Sequence, residues 1–279
     1  MLENADHLLK HASFADANPP DVVVRIGNSP TSKSLRLWLE RTKPAHHLVV
    51  DPDERWNDAT FLGGTVVRQT VLDLFSAQSE SGFDRGATGW TNTWTSADAR
   101  AGEVIGTELD SGPLLEAAVA RLSYANTPDH GVFYVSNSMP VRDLDSFATR
   151  RAAVPLALGN RGASGIDGVV SSAAGAARTG RPVVLLIGDI ATLHDIGGLI
   201  DAARRDIDLT IVMVNNNGGG IFSFLPIASH DDVNFDEIFH TPHGTVYDSL
   251  PGVRHQLAAT GAELTELMAS AVGTVGTDL

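Results

Sequence analysis

The sequence predicts an α/β chain in which parallel strands alternate with helices, and three observations carry that prediction. The run Val183-Val184-Leu185-Leu186-Ile187 and the run from Leu209 to Val214 are short, apolar and rich in β-branched residues, as strands buried on both faces are. Between them Leu193, Ile196, Leu199, Ile200 and Ala203 recur at helical spacing, and Arg204 and Arg205 place cations in the last turn. The same order of strand, helix and strand occurs near the amino terminus. Such connections are right-handed, and ligands of the resulting sheets bind beyond the carboxyl ends of the strands.

In chain order, residues 22–26 read as a strand, 31–42 as a helix carrying Leu35, Trp38 and Leu39, and 47–50 as a second strand. Residues 76–101 are rich in Ser, Gly, Thr and Asp, with Phe83, Trp90 and Trp94 their only bulky aromatics, and read as a long connection. The chain is therefore expected to divide at 76–110. A helix follows over 113–124, with Leu114, Leu115, Ala118, Val119 and Leu122 at helical spacing, and then a strand over 131–135. Ser138 reads as the N-cap of the next helix, with Pro140 in its first turn. Asn160 to Gly168 is a glycine-spaced loop that allows close backbone approach. Beyond the strand at 209–214 comes Asn215-Asn216-Asn217-Gly218-Gly219-Gly220. Of the tail only 256–272 reads as helical, so the outer sheet edge is expected to be incomplete.

Composition narrows the class. A net charge of −14 argues against nucleic acid as partner, because phosphate contacts need clustered Lys and Arg. The absence of cysteine removes disulfides and thiolate metal sites. Apolar runs stay at strand length, far short of the ~20 residues of a membrane span, and no basic-then-apolar leader opens the chain, so a cytoplasmic enzyme without membrane insertion is expected. Only three of the 20 basic residues are lysines, and Asp outnumbers Glu. That skew fits a salt-adapted protein; melting behaviour unchanged between dilute buffer and molar KCl would count against this hypothesis.

The chemistry concentrates at two strand ends. Asp189 follows one buried run, and Asn216 lies 27 residues later at the end of the next. A carboxylate, an amide oxygen and the backbone carbonyl of Gly218 can supply the near-octahedral oxygen set that Mg²⁺ or Mn²⁺ takes, with positions left for phosphate oxygens and water. The helix start at Ile190 and Ala191 adds N–H groups and partial positive charge for the same phosphates. Ser138 is either a cap alone or a site residue. Arg142, beside Asp143 and Asp145, reads as a surface residue, whereas Arg161 opens the glycine-spaced loop; a guanidinium can clamp a carboxylate bidentately. His46-His47 and His240-x-x-His243 lack a third ligand at useful spacing and read as loop or surface.

Gly188-Asp189 followed at this distance by Asn215-Asn216 resembles the diphosphate-binding motif of thiamine-diphosphate enzymes, although Ile190 stands where most members have a third glycine. The segments Ser136-Asn137-Ser138-Met139-Pro140-Val141-Arg142, Asn160-Arg161-Gly162-Ala163-Ser164-Gly165-Ile166-Asp167-Gly168 and Asn215 through Leu225 are similar to one branch, the 2-succinyl-5-enolpyruvyl-6-hydroxy-3-cyclohexene-1-carboxylate synthases (MenD) of menaquinone biosynthesis. The resemblance covers most of residues 20 to 245. It implies a partial central Rossmann-like α/β domain over 1–75, a linker over 76–110, and the diphosphate-binding domain of the thiamine-diphosphate fold over 111–279.

The resemblance also implies roles. Asp189, Asn216 and the Gly218 carbonyl would ligate the metal, with Ser164, Ile166, Gly188, Ile190, Ala191 and Ile221 about the cofactor. Ile166 would bend the cofactor so that its 4′-amino group meets C2. Ser138, Arg142, Arg161, Phe222 and Leu225 would face the substrates, and Lys33 matches a substrate-contacting lysine whose usual Arg neighbour is here Ser34. By their own chemistry Ile221 and Phe224 read as core. The implied reaction decarboxylates 2-oxoglutarate and adds the succinyl unit to isochorismate, and both substrates carry carboxylates that suit an arginine-lined cleft.

In this family a glutamate against the aminopyrimidine comes from an amino-terminal pyrimidine-binding domain, which nothing here matches. The expectation is a carboxyl-terminal half, working as a homo-oligomer or with a pyrimidine-domain chain, and inactive alone. A different thiamine-diphosphate carboligase subunit, or a non-catalytic cofactor-binding partner, stays open. A nicotinamide-binding Rossmann fold, a P-loop and a serine hydrolase fail for want of Gly-x-Gly-x-x-Gly, a Gly-Lys pair and Gly-x-Ser-x-Gly.

Overall fold

The computed structural model describes residues 2–53, 55, 58, 60–62, 64–79 and 88–279. The chain forms two compact units, Met1–Gly106 and Thr107–Leu279.

In the first unit α1 (Ala5–Lys10) and α2 (Ala12–Ala15) precede β1 (Val22–Ile26), α3 (Lys33–Thr42), β2 (His46–Val50), β3 (Thr65–Val67) and α4 (Val71–Ser79). The strands form a parallel sheet in the order β1-β2-β3, with Val22 opposite His46 and Ile26 opposite Val50. Ser32 caps α3, its Oγ accepting the Leu35 N–H at 3.0 Å. Leu9, Ala15, Trp38, Leu39 and Trp94 make the core, and Trp38 Nε1 donates to the Ala15 carbonyl at 2.9 Å. Arg25 and Asp58 form an ion pair at 2.9 Å, both nearly buried.

Two expectations for this unit need correction. Much of the stretch read as a connection is helical: α4 extends to Ser79 and α5 covers Thr88–Ser111. Only 80–87, with Phe83, lie outside the described residues. The polar composition misled because Thr93 and Thr95 satisfy their hydroxyls on the carbonyls of Gly89 and Thr91, one turn back. Trp94 meanwhile packs edge-on against Phe14 and Trp38, with ring centroids 5.0 and 5.5 Å apart. Burial of that apolar face, rather than local propensity, supplies the stability. His47 is likewise no surface residue but a buried member of β2, and burial holds its imidazole below the usual range.

The second unit contains α6 (Glu116–Ala125), β4 (Val132–Val135), α7 (Met139–Phe147), β5 (Leu156–Leu158), α8 (Val169–Ala177), β6 (Val183–Gly188), α9 (Asp189–His194), α10 (Ile196–Arg204), β7 (Leu209–Val214), β8 (Val253–Arg254), α11 (Gly261–Ala271) and β9 (Thr277–Asp278). Its strands form one parallel sheet in the order β5-β4-β6-β7-β9-β8. Side chains alternate between two cores. Val183, Leu185 and Ile187 point to the layer of α8 and α10, whereas Val184 and Leu186 point to the layer of α6 and α11. Both faces of the central strands are therefore covered, as the continuously apolar runs predict, whereas the edge strand β5 is exposed.

Three local readings change here. The helix expected after Asp189 is two helices broken at Asp195, whose carboxylate accepts the Ser171 N–H at 2.7 Å and its hydroxyl at 3.0 Å. Gly198 permits that approach, since a Cβ there would lie 2.4 Å from Ser171 Oγ. The tail does extend the sheet edge, through β9 beside β7 and β8 outside it, each too short to show a period in sequence. Phe224 is 76% exposed and not core, because the 3₁₀ turn Gly220–Phe224 carries it outward.

Candidate functional site

The order β5-β4-β6 means that the chain leaves β4 in one direction and returns on its other side, which makes the boundary between β4 and β6 the switch point where doubly wound sheets bind ligands. A cavity of about 150 Å³ opens there. Its walls come from the segments that leave three neighbouring strands: Asn137, Ser138 and Pro140 after β4, Gly188 to Ala191 after β6, and Asn216 and Gly218 to Phe222 after β7. Glu116 at the start of α6 and Ile166 complete it. Ser138, Ile166, Gly188, Asp189, Ile190, Ala191, Asn216, Gly218, Ile221 and Phe222, all singled out in sequence, thus share one cavity.

Asp189 is 2% exposed, and its carboxylate is held from several sides. Oδ1 accepts the Ile190 N–H at 2.7 Å. Oδ2 accepts the Gly218 N–H at 2.9 Å and lies 3.1 Å from His243 Nε2. The Ile190 N–H, expected to meet phosphate, is therefore committed to Asp189. Tyr247 donates its hydroxyl to the Asp189 carbonyl at 3.2 Å. Burial first, and then the nearby carboxylate, pushes that phenol up to about 12, so it stays a donor across the ordinary pH range.

The glycine run is shaped by close approach. A Cβ on Gly218 would lie 2.3 Å from the His240 carbonyl oxygen, and one on Gly220 would lie 2.6 Å from Asn216 Nδ2. Gly218 also takes φ +156°, which side chains rarely adopt. Its carbonyl accepts the Gly220 N–H at 3.1 Å, which leaves a second lone pair. Asn216 Nδ2 donates to Glu116 Oε1 at 2.8 Å, and Asn217 Oδ1 accepts the Gly244 N–H at 2.7 Å. Carboxylate, amide oxygen and carbonyl are the donor set of a hard cation, and these residues fit one.

Ser138 occupies the N-cap position of α7 but makes no side-chain cap bond, and it takes φ +70° and ψ −132°. Such backbone strain in a non-glycine residue collects at functional positions. Asn137, 3% exposed, donates to the carbonyls of Asn160 at 2.9 Å and Gly165 at 2.6 Å, and accepts from Arg161 Nη1. It pins the glycine-spaced loop to the end of β4.

The remaining sequence-selected residues do not line the cavity. Arg142 is exposed and folds back onto the Ser138 carbonyl at 2.5 Å. Arg161 is exposed and reaches Asn137; Ser164, at φ +57°, is exposed in the same loop. Leu225 is 44% exposed beyond the 3₁₀ turn. Lys33 lies in the first unit, exposed at the first position of α3.

Sequence reasoning misses Glu116, Asn137, Tyr247 and His243. His243 reads in sequence as loop or surface, yet it is 12% exposed in its side chain and bonded to Asp189. The available signal is the pair Asn137-Ser138 within an unusual word; Glu116, 100 residues from Asn216, leaves none.

Among the described residues no helix is long and apolar enough to cross a membrane. Residues 143–271 match the family profile described as thiamine pyrophosphate enzyme, C-terminal TPP binding domain. The chain is 41% identical over 96% of its length to 2-succinyl-5-enolpyruvyl-6-hydroxy-3-cyclohexene-1-carboxylate synthase of Halorubrum lacusprofundi, covering 45% of that protein. It is 39% identical over 86% of its length to the synthase of the same name from Listeria welshimeri, covering 42% of it, and 35% identical over 99% to that of Geobacillus thermodenitrificans, covering 47%. The chain spans less than half the length of these curated relatives. Over most of its length the chain is thus similar to the carboxyl-terminal half of the 2-succinyl-5-enolpyruvyl-6-hydroxy-3-cyclohexene-1-carboxylate synthases, and its second unit carries the match to the C-terminal TPP binding domain of thiamine pyrophosphate enzymes.

Proposed function

We propose that the second unit holds the diphosphate end of thiamine diphosphate, with Mg²⁺ or Mn²⁺, in the cavity at the ends of β4, β6 and β7. As part of a transferase it would add the decarboxylated succinyl unit of 2-oxoglutarate to isochorismate. The observation that supports this most is the convergence of Asp189, Asn216 and Gly218 on one cavity at the switch point of a parallel sheet.

In this reading Asp189, Asn216 Oδ1 and the Gly218 carbonyl hold the cation, and Ile166, half-buried at the cavity wall, supports the cofactor's bend. When bound, the cofactor would supply a nucleophilic carbon and, in its cationic thiazolium ring, a sink for the electrons released by decarboxylation. Arg142 and Arg161, exposed and anchored to the cavity residues Ser138 and Asn137, take the substrate carboxylates, where a charged hydrogen bond contributes roughly 1.5–3 kcal/mol. Phe222 closes an apolar wall over the substrates, with Leu225 beyond it. For Lys33 and Ser164 the assignment rests on the resemblance alone. The glutamate that activates the cofactor is supplied by a pyrimidine-binding domain within the same oligomer, and a cysteine-free acidic chain suits a cytoplasmic setting.

Calorimetric titration tests the reading. The chain should bind thiamine diphosphate only with Mg²⁺ present, and Asp189→Ala should lose that binding while its circular dichroism is retained. Metal-dependent binding that survives Asp189→Ala would overturn the assignment.

A further inference from the structure

We propose that Glu116 and His243 are positioning residues of the cation site, the first orienting the amide of Asn216 and the second the carboxylate of Asp189. The inference rests on the proposed cofactor site and goes one layer outward from it.

The oxygen and nitrogen of an amide have nearly the same shape, so only hydrogen bonding decides which faces a cation. Asn216 has its NH₂ at 2.8 Å from Glu116 Oε1. A carboxylate accepts and cannot donate, so this contact admits the amide in one orientation, with Oδ1 turned away from Glu116. A cation is attracted to Oδ1 and repelled by NH₂. Glu116 itself sits in the first turn of α6, where a helix stabilises negative charge. Gly220 leaves the space that this amide orientation occupies.

His243 is defined as firmly. Its Nδ1 accepts the Thr245 N–H at 2.9 Å, so the ring carries its proton on Nε2, which donates to Asp189 Oδ2 at 3.1 Å. With the Gly218 N–H on the same oxygen at 2.9 Å, two donors fix the plane of a carboxylate that is 3% exposed in its side chain. Among the described residues Oδ1 has only the adjacent Ile190 N–H. Partners of this kind commonly set metal affinity by about 10–100-fold without touching the metal.

The experiment measures Mn²⁺ affinity of the 279-residue chain, with thiamine diphosphate present, from the electron paramagnetic resonance signal of free Mn²⁺. Glu116→Ala and His243→Leu should each weaken binding by about tenfold or more. Glu116→Gln should restore most of it, because the glutamine carbonyl accepts the same N–H, and His243→Gln should do likewise by donating in place of Nε2–H. Long-range ¹⁵N spectra of the chain without metal should show His243 protonated on Nε2. If the wild-type chain binds no Mn²⁺ with the cofactor, the cofactor reading falls and this inference with it. If the wild type binds, and Glu116→Ala and His243→Leu bind equally well, the cofactor reading stands and the positioning roles are overturned. Glu116→Gln as weak as Glu116→Ala would refute the amide orientation, and an Nδ1-protonated His243 would refute its role even if His243→Leu fails to fold.

Discussion

Strand β6 of the second unit and strand β1 of the first are both short and mostly aliphatic, and both sit in parallel sheets. Five of the six residues of β6 are buried. In β1 the one buried residue is Arg25, while Val22, Val24 and Ile26 are each about half exposed. The difference lies in what covers each strand. Alternate side chains of β6 enter two separate cores, whereas in β1 only Val23 packs against the apolar cluster of its unit. An apolar run therefore reports the capacity to be a buried strand, and the layers on its two faces decide whether that capacity is used. The first unit instead places a charge pair where the second places leucine.

That contrast can be broken from either side. Asp58→Ala should have the largest effect, about 3–5 kcal/mol on the first unit, because it strands the buried Arg25 guanidinium, two of whose nitrogens already lack partners among the described residues. A urea midpoint close to wild type would mean that the pair is not what holds β1.

Leu185→Ala, at the centre of β6 and fully buried, should cost the second unit about 2–5 kcal/mol by leaving a cavity, with the first unit's transition unmoved. Equal losses in both transitions would show that the units do not unfold separately.

Acid should sharpen the contrast. Burial raises the Asp58 carboxyl, but hydrogen bonds from Thr60 and Arg25 outweigh it and hold the group below its ordinary range. Its stabilisation is thus present above about pH 4 and lost as pH falls through the lowered value. Burial also lowers His47, whose stabilisation is present above about pH 6.5 and declines as the ring is forced to charge. The first unit should lose stability steadily from about pH 7 to about pH 3 in denaturant midpoints, and His47→Phe should remove the upper part of the decline. A flat profile would contradict both assignments.

The smallest effect belongs to Val24→Ala, at 45% exposure, which should stay within about 0.5 kcal/mol. A cost matching that of Leu185→Ala would show that something covers β1 in solution.

Much of the sheet that frames the cavity is legible because its strands carry their burial in composition: 183–187 and 209–214 read as strands with no ambiguity of face. The segment 88–111 is not, since a helix stabilised by Trp94 docking on Trp38 and Phe14 shows no regular apolar stripe. The candidate site divides in the same way. Asp189, Asn216 and Gly218 stand at strand ends, where period and spacing point directly. Asn137 is visible only as part of an unusual word, and its two bonds to the loop at 160–165 are not.

By itself the sequence determined the parallel α/β class, the two strand ends that bear Asp189 and Asn216, and the resemblance to thiamine-diphosphate enzymes, because these depend on local composition and on short fixed separations. Only the tertiary structure decided which way those two side chains face. Glu116 reaches Asn216 from 100 residues away, and His243 reaches Asp189 from 54. A hydrogen bond is a condition on position and direction, and at such separations both are set by the packing of helices and loops on the sheet rather than by any pattern along the chain.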